Sequence, residues 1–126
     1  MIRGLRPGTV DHYCPEGQTG DQTTVFDLKV PTAAELAEIE DSVSYRNLDG
    51  SMVFRPNYAG LIALRRCLVG WSGMYLGDTL VSFEEAKGQV GTDEERIDRA
   101  ISVIPADWRD RCALRIKDLG RLEPKN

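Results

Sequence analysis

The chain has 126 residues and a mass of 14.0 kDa, which is the length of a single domain. Hydrophobic residues make up 41% and charged residues 29%, a composition that excludes wholesale disorder. A net charge of −4 and a pI near 5.0 count against a nucleic-acid-binding domain, and no apolar run is long enough to cross a membrane. The start of the chain has no apolar run of signal-peptide length, and the three cysteines are an odd number, so we expect a cytosolic protein with reduced thiols.

Negative charge is concentrated in the N-terminal third. Residues 11–50 contain nine acidic residues against Lys29 and Arg46, whereas residues 92–126 hold eight acidic and eight basic residues. The acidic third is therefore either a solvated face or a docking surface for a basic partner.

An arm is predicted to come before the first regular element. Residues 1–24 are rich in Gly, Pro, Thr and Asp and show no periodicity, which predicts an irregular N-terminal arm followed by a single domain over residues 25–126. Thr24–Val30 alternates between apolar and polar residues, which predicts a half-buried strand that ends before Pro31.

A helix, a turn and a second strand come next. Thr32 and Glu35 have the spacing of a capping box, so a helix is predicted to begin there and to end near Ser44. Asp49-Gly50 predicts a turn, and Ser51–Arg55 a short strand.

The middle of the chain is predicted to contain a second helix and a third strand. Apolar residues at helical spacing predict a helix over Asn57–Val69, with Gly70 as its left-handed cap residue. Trp71–Asp78 is predicted to be a loop, and Thr79–Phe83 a strand.

Two more helices complete the predicted fold. Thr92 and Glu95 repeat the capping-box spacing, and Ala106–Leu119 has an apolar stripe that ends at Gly120. The fold class is therefore α+β, with about four helices packed on a small antiparallel sheet of two or three strands.

Side chains suited to catalysis are sparse. His12 and Cys14 lie two residues apart, with no third group to orient them and no second pair of metal ligands. Cys67 and Cys112 lie on apolar helical stripes, which is typical of core thiols. Ser72 has a glycine two residues before it but not two residues after it, and no phosphate-binding loop follows. We therefore expect no enzyme activity, no metal and no cofactor.

Seven residues are candidates for an interface. Trp71, with Met74 and Tyr75 after it, is either a core anchor that covers the end of a helix or an aromatic anchor for a partner. The remaining four belong to the acidic third and to the arginine-rich last helix, which are either solvated faces or surfaces that pair head to tail between two copies of the chain: Glu38, Asp41, Arg109 and Arg115.

Four stretches of the chain carry a family resemblance. They are Gln22–Glu35, with its strand and capped helix, the Arg/Leu-rich Leu61–Trp71, the apolar Val81–Phe83, and the chain end Asp118–Asn126. In this order they resemble small morphogenesis proteins of tailed bacteriophages, several of them similar to tail assembly chaperones. Gly70-Trp71 is the most specific part of the resemblance, which extends from residue 22 onward and does not include the Cys14 arm.

The resemblance implies a binding protein of the host cytoplasm that acts only through protein–protein contacts. A tail assembly chaperone would bind the tape-measure protein, recruit tail tube subunits and associate weakly with itself. An alternative is a structural virion component, such as a head-decorating or neck protein, whose N-terminal arm contacts neighbouring capsid or neck subunits. A third hypothesis is a small acidic inhibitor or anti-defence protein. None of the three involves nucleic acid or a membrane.

Overall fold

The computed structural model describes residues 6–16, 18 and 23–121. In these ranges the chain forms seven strands and five helices. The strands are β1 (Val10–Tyr13), β2 (Val25–Lys29), β3 (Ser44–Arg46), β4 (Met52–Phe54), β5 (Leu68–Ser72), β6 (Tyr75–Leu76) and β7 (Thr79–Leu80). The helices are α1 (Ala33–Asp41), α2 (Pro56–Cys67), α3 (Phe83–Lys87), α4 (Asp93–Val103) and α5 (Ala106–Gly120).

The main sheet has three antiparallel strands in the order β1-β2-β5, so β2 is the central strand. Phe26 and Leu28 of β2 are fully buried, whereas Asp27 and Lys29 are half-buried, in agreement with the predicted alternation. Helix α2 packs against α1, α4 and α5, and α5 also contacts β2. The predicted α+β class is confirmed.

The predicted irregular arm is wrong for Val10–Tyr13, which forms β1 and runs antiparallel to β2. The Val30 N–H donates to the Thr9 carbonyl at 2.8 Å and extends this pairing. This edge strand has only four residues, among them Asp11 and His12, so its sequence shows too little apolar alternation to predict a strand. It is a strand because its backbone forms hydrogen bonds with β2. Residues 1–5, 17 and 19–22 of the predicted arm lie outside the described residues, as does the chain end 122–126.

Helix α2 ends at Cys67, earlier than predicted, and the chain turns directly into β5. Gly70 lies within this strand and does not have the positive φ expected of a helix cap. Val69 is an extra residue opposite β2, a β-bulge that leaves its side chain exposed. Because Leu68 and Trp71 are both buried beside β2, tertiary packing outweighs the local helical pattern.

Two small hairpins stand apart from the main sheet. The predicted turn at Asp49-Gly50 joins β3 to β4, and Gly50 has the positive φ that such a turn requires. The strand predicted at Ser51–Arg55 is confirmed as β4, but its partner β3 begins at Ser44, where the first helix was expected to end. The second hairpin, β6–β7, occupies the end of the predicted loop and the start of the predicted third strand.

Helix starts divide into two kinds. In α1, α3 and α4 the N-cap hydroxyl accepts a hydrogen bond from a glutamate N–H three residues on, and the glutamate carboxylate accepts one from the N-cap N–H. The box in α3 makes Phe83 the first residue of a helix and not the end of a strand. Helices α2 and α5 follow Arg55 and Pro105 and have no side-chain cap. The capping boxes are Thr32/Glu35, Ser82/Glu85 and Thr92/Glu95.

A chain of aromatic rings connects the layers of the core. Phe26 contacts Trp71 and Trp108 edge to face, with ring centroids 6.3 and 5.8 Å apart. Trp71 contacts Phe83 in the same way at 5.1 Å. These contacts tie β2 to β5, α3 and α5, and edge-to-face geometry adds to the free energy gained by burial.

Replacement of Gly73 by alanine should lower the free energy of unfolding by about 3 kcal/mol. Gly73 has φ of +69°, and an added Cβ would lie 2.3 Å from the Thr23 carbonyl oxygen. Gly77 is the matched control, because its φ is +64° with nothing within 4 Å of an added Cβ, so that Gly77→Ala should cost only about 1 kcal/mol. Urea unfolding of both variants measures the difference, and equal losses would contradict the close packing at Gly73.

Candidate interaction surface

Two of the predicted interface residues lie in the core. Trp71 is buried and its Nε1 donates to the Val81 carbonyl at 2.9 Å, and Met74 is fully buried. Of the two interpretations of Trp71, the structure supports the core anchor. Neither side chain is available to a partner in the folded chain.

Tyr75 and Asp41 remain at the surface. Tyr75 lies opposite Leu80 in the β6–β7 hairpin, and both side chains are exposed. Asp41 is exposed at the last residue of α1. Arg109 is half-buried in the first turns of α5, in a pocket described below.

Glu38 and Arg115 form ion pairs within the chain. Arg66 donates from Nε and Nη2 to the two carboxylate oxygens of Glu38, at 2.8 and 2.9 Å, and these bonds hold the pKa of Glu38 below its ordinary value. Arg115 binds both carboxylate oxygens of Asp11 at 3.0 and 3.2 Å. Their charges are thus matched without a second copy of the chain.

The described part of the N-terminal segment lies against its own subunit. Besides β1 and the Asp11–Arg115 pair, the Glu16 carbonyl accepts a hydrogen bond from Arg111 at 2.8 Å, and Pro15 is buried. The last helix therefore holds this segment in place with arginine side chains from two successive turns.

His12 and Cys14 are exposed, whereas Cys67 and Cys112 are buried. His12 Nδ1 lies 2.6 Å from Asp27 Oδ1 at an exposed site, and the exposed Cys14 accepts a hydrogen bond from Gln18. Burial raises the pKa of the Cys67 and Cys112 thiols to about 12, as expected of core thiols. Over residues 6–16, 18 and 23–121, no three His, Cys, Asp or Glu side chains are grouped so that they could hold a metal ion.

The β3–β4 hairpin presents apolar side chains to solvent. Met52 lies opposite Arg46, and Phe54 opposite Ser44, so these four side chains share one face of the hairpin. Phe54 is 72% exposed and Met52 is 45% exposed. We call Met52 and Phe54 the hairpin face.

Arg55 fixes the base of this hairpin. Its guanidinium carbon lies 4.4 Å from the ring centroid of Tyr45 and 4.5 Å from that of Tyr58, so the cation is stacked against one aromatic ring of β3 and one of α2. The Arg55 N–H donates to the Val43 carbonyl. These contacts connect β3 to the start of α2.

Two concave regions lie on the helical side of the molecule. A groove of about 500 Å³ runs between the end of α2, the exposed Val69 of β5, and helices α3 and α4. The arginines that line this groove have hydrogen-bond partners within the chain. Arg65 donates to both carboxylate oxygens of Asp98 at 2.8 and 2.9 Å, and Arg96 donates to the Gly88 carbonyl. A smaller pocket of about 250 Å³ lies between α2, α4 and the start of α5.

Comparison of the chain with protein-family models, with curated protein sequences and with solved structures gave no match. In the part of the chain that the structure describes, no helix has both the length and the apolar character needed to cross a bilayer.

The hairpin face did not stand out in the sequence. Met52-Val53-Phe54 is an apolar run of three, which fits a buried strand as well as an exposed one. The fractional exposure of Met52 and Phe54 in the folded chain shows that these two side chains are uncovered. The stacking of Arg55 between Tyr45 and Tyr58 is a spatial arrangement that the sequence does not reveal, because Tyr45 lies ten residues before Arg55.

Replacement of Arg115 by methionine should accelerate amide hydrogen exchange in β1 about fivefold, because the pair with Asp11 holds this edge strand to α5. Lys117→Met is the control, since Lys117 lies on the same helix and forms no ion pair among the described residues. Exchange followed by NMR distinguishes the variants. Unchanged exchange in β1 would show that the ion pair does not stabilise the strand.

The native protein should contain one thiol that reacts rapidly with Ellman's reagent at about pH 8, and three after unfolding. Cys14 is exposed, whereas Cys67 and Cys112 are buried with raised pKa values. Cys14→Ser should abolish the fast reaction and leave only the slow reaction of the two buried thiols. A second fast thiol in the native protein would contradict the packing of α2 or α5.

Proposed function

We propose that this chain is a non-enzymatic protein of bacteriophage tail assembly, similar to tail assembly chaperones, and that it binds its partner through the hairpin face. The observation that carries the proposal is the exposure of Phe54 and Met52 on a hairpin that is separate from the main sheet. Monomeric soluble proteins seldom leave large apolar side chains grouped at the surface unless a partner covers them.

The chemistry around the hairpin suits a protein partner. Met, Phe, Tyr and Arg are enriched at the centres of protein interfaces, and the hairpin combines Met52 and Phe54 with a Tyr45–Arg55–Tyr58 stack at its base. Strands β3 and β4 have only each other as neighbours among the described residues, so each offers an open edge to which an extended segment can add.

The contacts of the N-terminal segment support the chaperone over the virion component. Residues 8–16 bond to β2 and α5 of their own chain and are thus not free to reach a neighbouring subunit. The acidic surface is also reduced by ion pairs, because Glu38 and Glu40 bind Arg66 and Arg121. This pairing weakens the case for an acidic inhibitor.

Deletion of the gene from a phage genome that encodes the chain should yield heads without tails, and virions purified from the parent phage should lack the protein. Both results together support a chaperone. Stoichiometric copies in purified virions would instead support the virion component. Fully infectious particles from the deletion phage would overturn a role in assembly.

The double variant Met52→Ser, Phe54→Ser should bind the tape-measure protein or tail tube subunit encoded by the same genome at least about tenfold more weakly than the parent chain. Leu114→Ser on α5 is the matched control, because Leu114 is 56% exposed and outside the hairpin. Calorimetric titration of each variant with the purified partner gives the comparison, and circular dichroism verifies the fold. Equal binding by all three proteins would exclude the hairpin face as the contact.

A further inference from the structure

The outer edge of β4 has backbone groups that are directed away from the hairpin. The Arg55 N–H donates to the Val43 carbonyl at the base of the hairpin, and in an antiparallel ladder every second pair of residues exchanges such bonds. Phe54 and Met52, one and three residues before Arg55, therefore belong to the pairs that do not exchange hydrogen bonds with β3. Their N–H and C=O groups point outward and have no hydrogen-bond partner among the described residues.

This edge lacks the features that usually keep a strand edge from pairing. Native proteins protect open edges with charged side chains, prolines or bulges. The other edge of the hairpin follows this rule, because β3 carries the exposed Arg46. Strand β4 is Met52-Val53-Phe54, which has no charge, no proline and no bulge. The β4 edge is thus the one suited to the addition of another strand.

We propose that β4 pairs antiparallel with β4 of a second copy of the chain, with Val53 of one copy opposite Val53 of the other. In this register Met52 of each copy lies opposite Phe54 of the other, and each such pair exchanges both of its backbone hydrogen bonds. Every outward N–H and C=O of Met52 and Phe54 then has a partner. The contact is related by a twofold axis and uses up the β4 edge of both copies, so it produces a closed dimer and not a filament.

The same register brings opposite charges together across the two copies. Ser51 of one copy lies opposite Arg55 of the other, and Asp49 accepts hydrogen bonds from the N–H and the hydroxyl of Ser51 at 2.9 and 2.7 Å. The exposed Asp49 carboxylate is therefore placed near the half-buried Arg55 side chain of the second copy. Asp49 and Arg55 form no ion pair with any residue that the structure describes. Twofold symmetry supplies this attraction twice.

Pairing of β4 extends the hairpin face and does not cover it. Met52 and Phe54 of both copies lie on the same side of the resulting four-stranded sheet, because residues opposite each other share a face. The apolar surface offered to a further partner is thus doubled. Since only one short strand of each copy takes part, the buried area is small and the dimer is weak. The pairing itself does not depend on the proposed role in tail assembly.

Sedimentation equilibrium of the full chain over about 0.01–1 mM tests for the dimer, and Met52→Pro should raise its Kd at least about tenfold. Proline removes the outward N–H of Met52 without removing a bond of the hairpin. Arg46→Pro is the matched control, because Arg46 lies opposite Met52 and its N–H points outward from the other edge. A monomer throughout, or equal effects of the two prolines, would overturn the proposal, and circular dichroism verifies the fold of both variants.

Cross-linking tests the register without a proline. In a Cys14→Ser background, Val53→Cys should form a disulfide-linked dimer on mild oxidation at least about tenfold faster than Tyr45→Cys, because the two Val53 positions form a non-hydrogen-bonded pair with Cα atoms about 4.5 Å apart. Tyr45 lies on the same face of the hairpin but on β3, one strand farther from the axis, and is more exposed than Val53. Equal or reversed rates on non-reducing gels would overturn the register. A chain that dimerises but binds no tail protein would contradict only the proposed function.

Discussion

Strand β2 determines where every other layer of the molecule lies. It shares backbone hydrogen bonds with β1 on one side and β5 on the other, and its Phe26 and Leu28 are fully buried. Phe26 contacts one tryptophan from β5 and one from α5, so a single side chain ties the sheet edge and the last helix to the same point. These contacts join segments far apart in sequence, so none of them can form before the intervening chain closes.

Elements with strong local signals were predictable from the sequence. The alternation in β2, the capping boxes at Thr32 and Thr92, and the long apolar stripe of α5 each occur where the pattern placed them. Elements that depend on a distant partner were not predictable. β1 is polar and short, and residues 68–69 continue a helical pattern although they belong to a strand. In both places pairing with β2 outweighs local propensity.

Prediction of the surface was less successful for a related physical reason. Residue type indicates that Trp71 and Met74 favour protein contacts, but not whether the contacts are with the chain itself or with another. The structure places these two in the core and leaves Phe54 and Met52 uncovered. The same limit applied to the charged residues. The acidic third and the arginine-rich end of the chain suggested pairing between copies, but they form ion pairs with one another within the chain, Asp11–Arg115 and Glu40–Arg121.

The attachment of β1 has a consequence for the behaviour of the protein at high concentration. Every bond that holds β1 to β2 and to Arg115 could form equally well with the β1 of a second copy, since the two copies are chemically identical. What favours the strand of the same chain is the short tether, because only eleven residues separate Tyr13 from Val25 and give β1 a high effective concentration at its own sheet. Strand exchange between copies would therefore require a protein concentration comparable to this effective concentration.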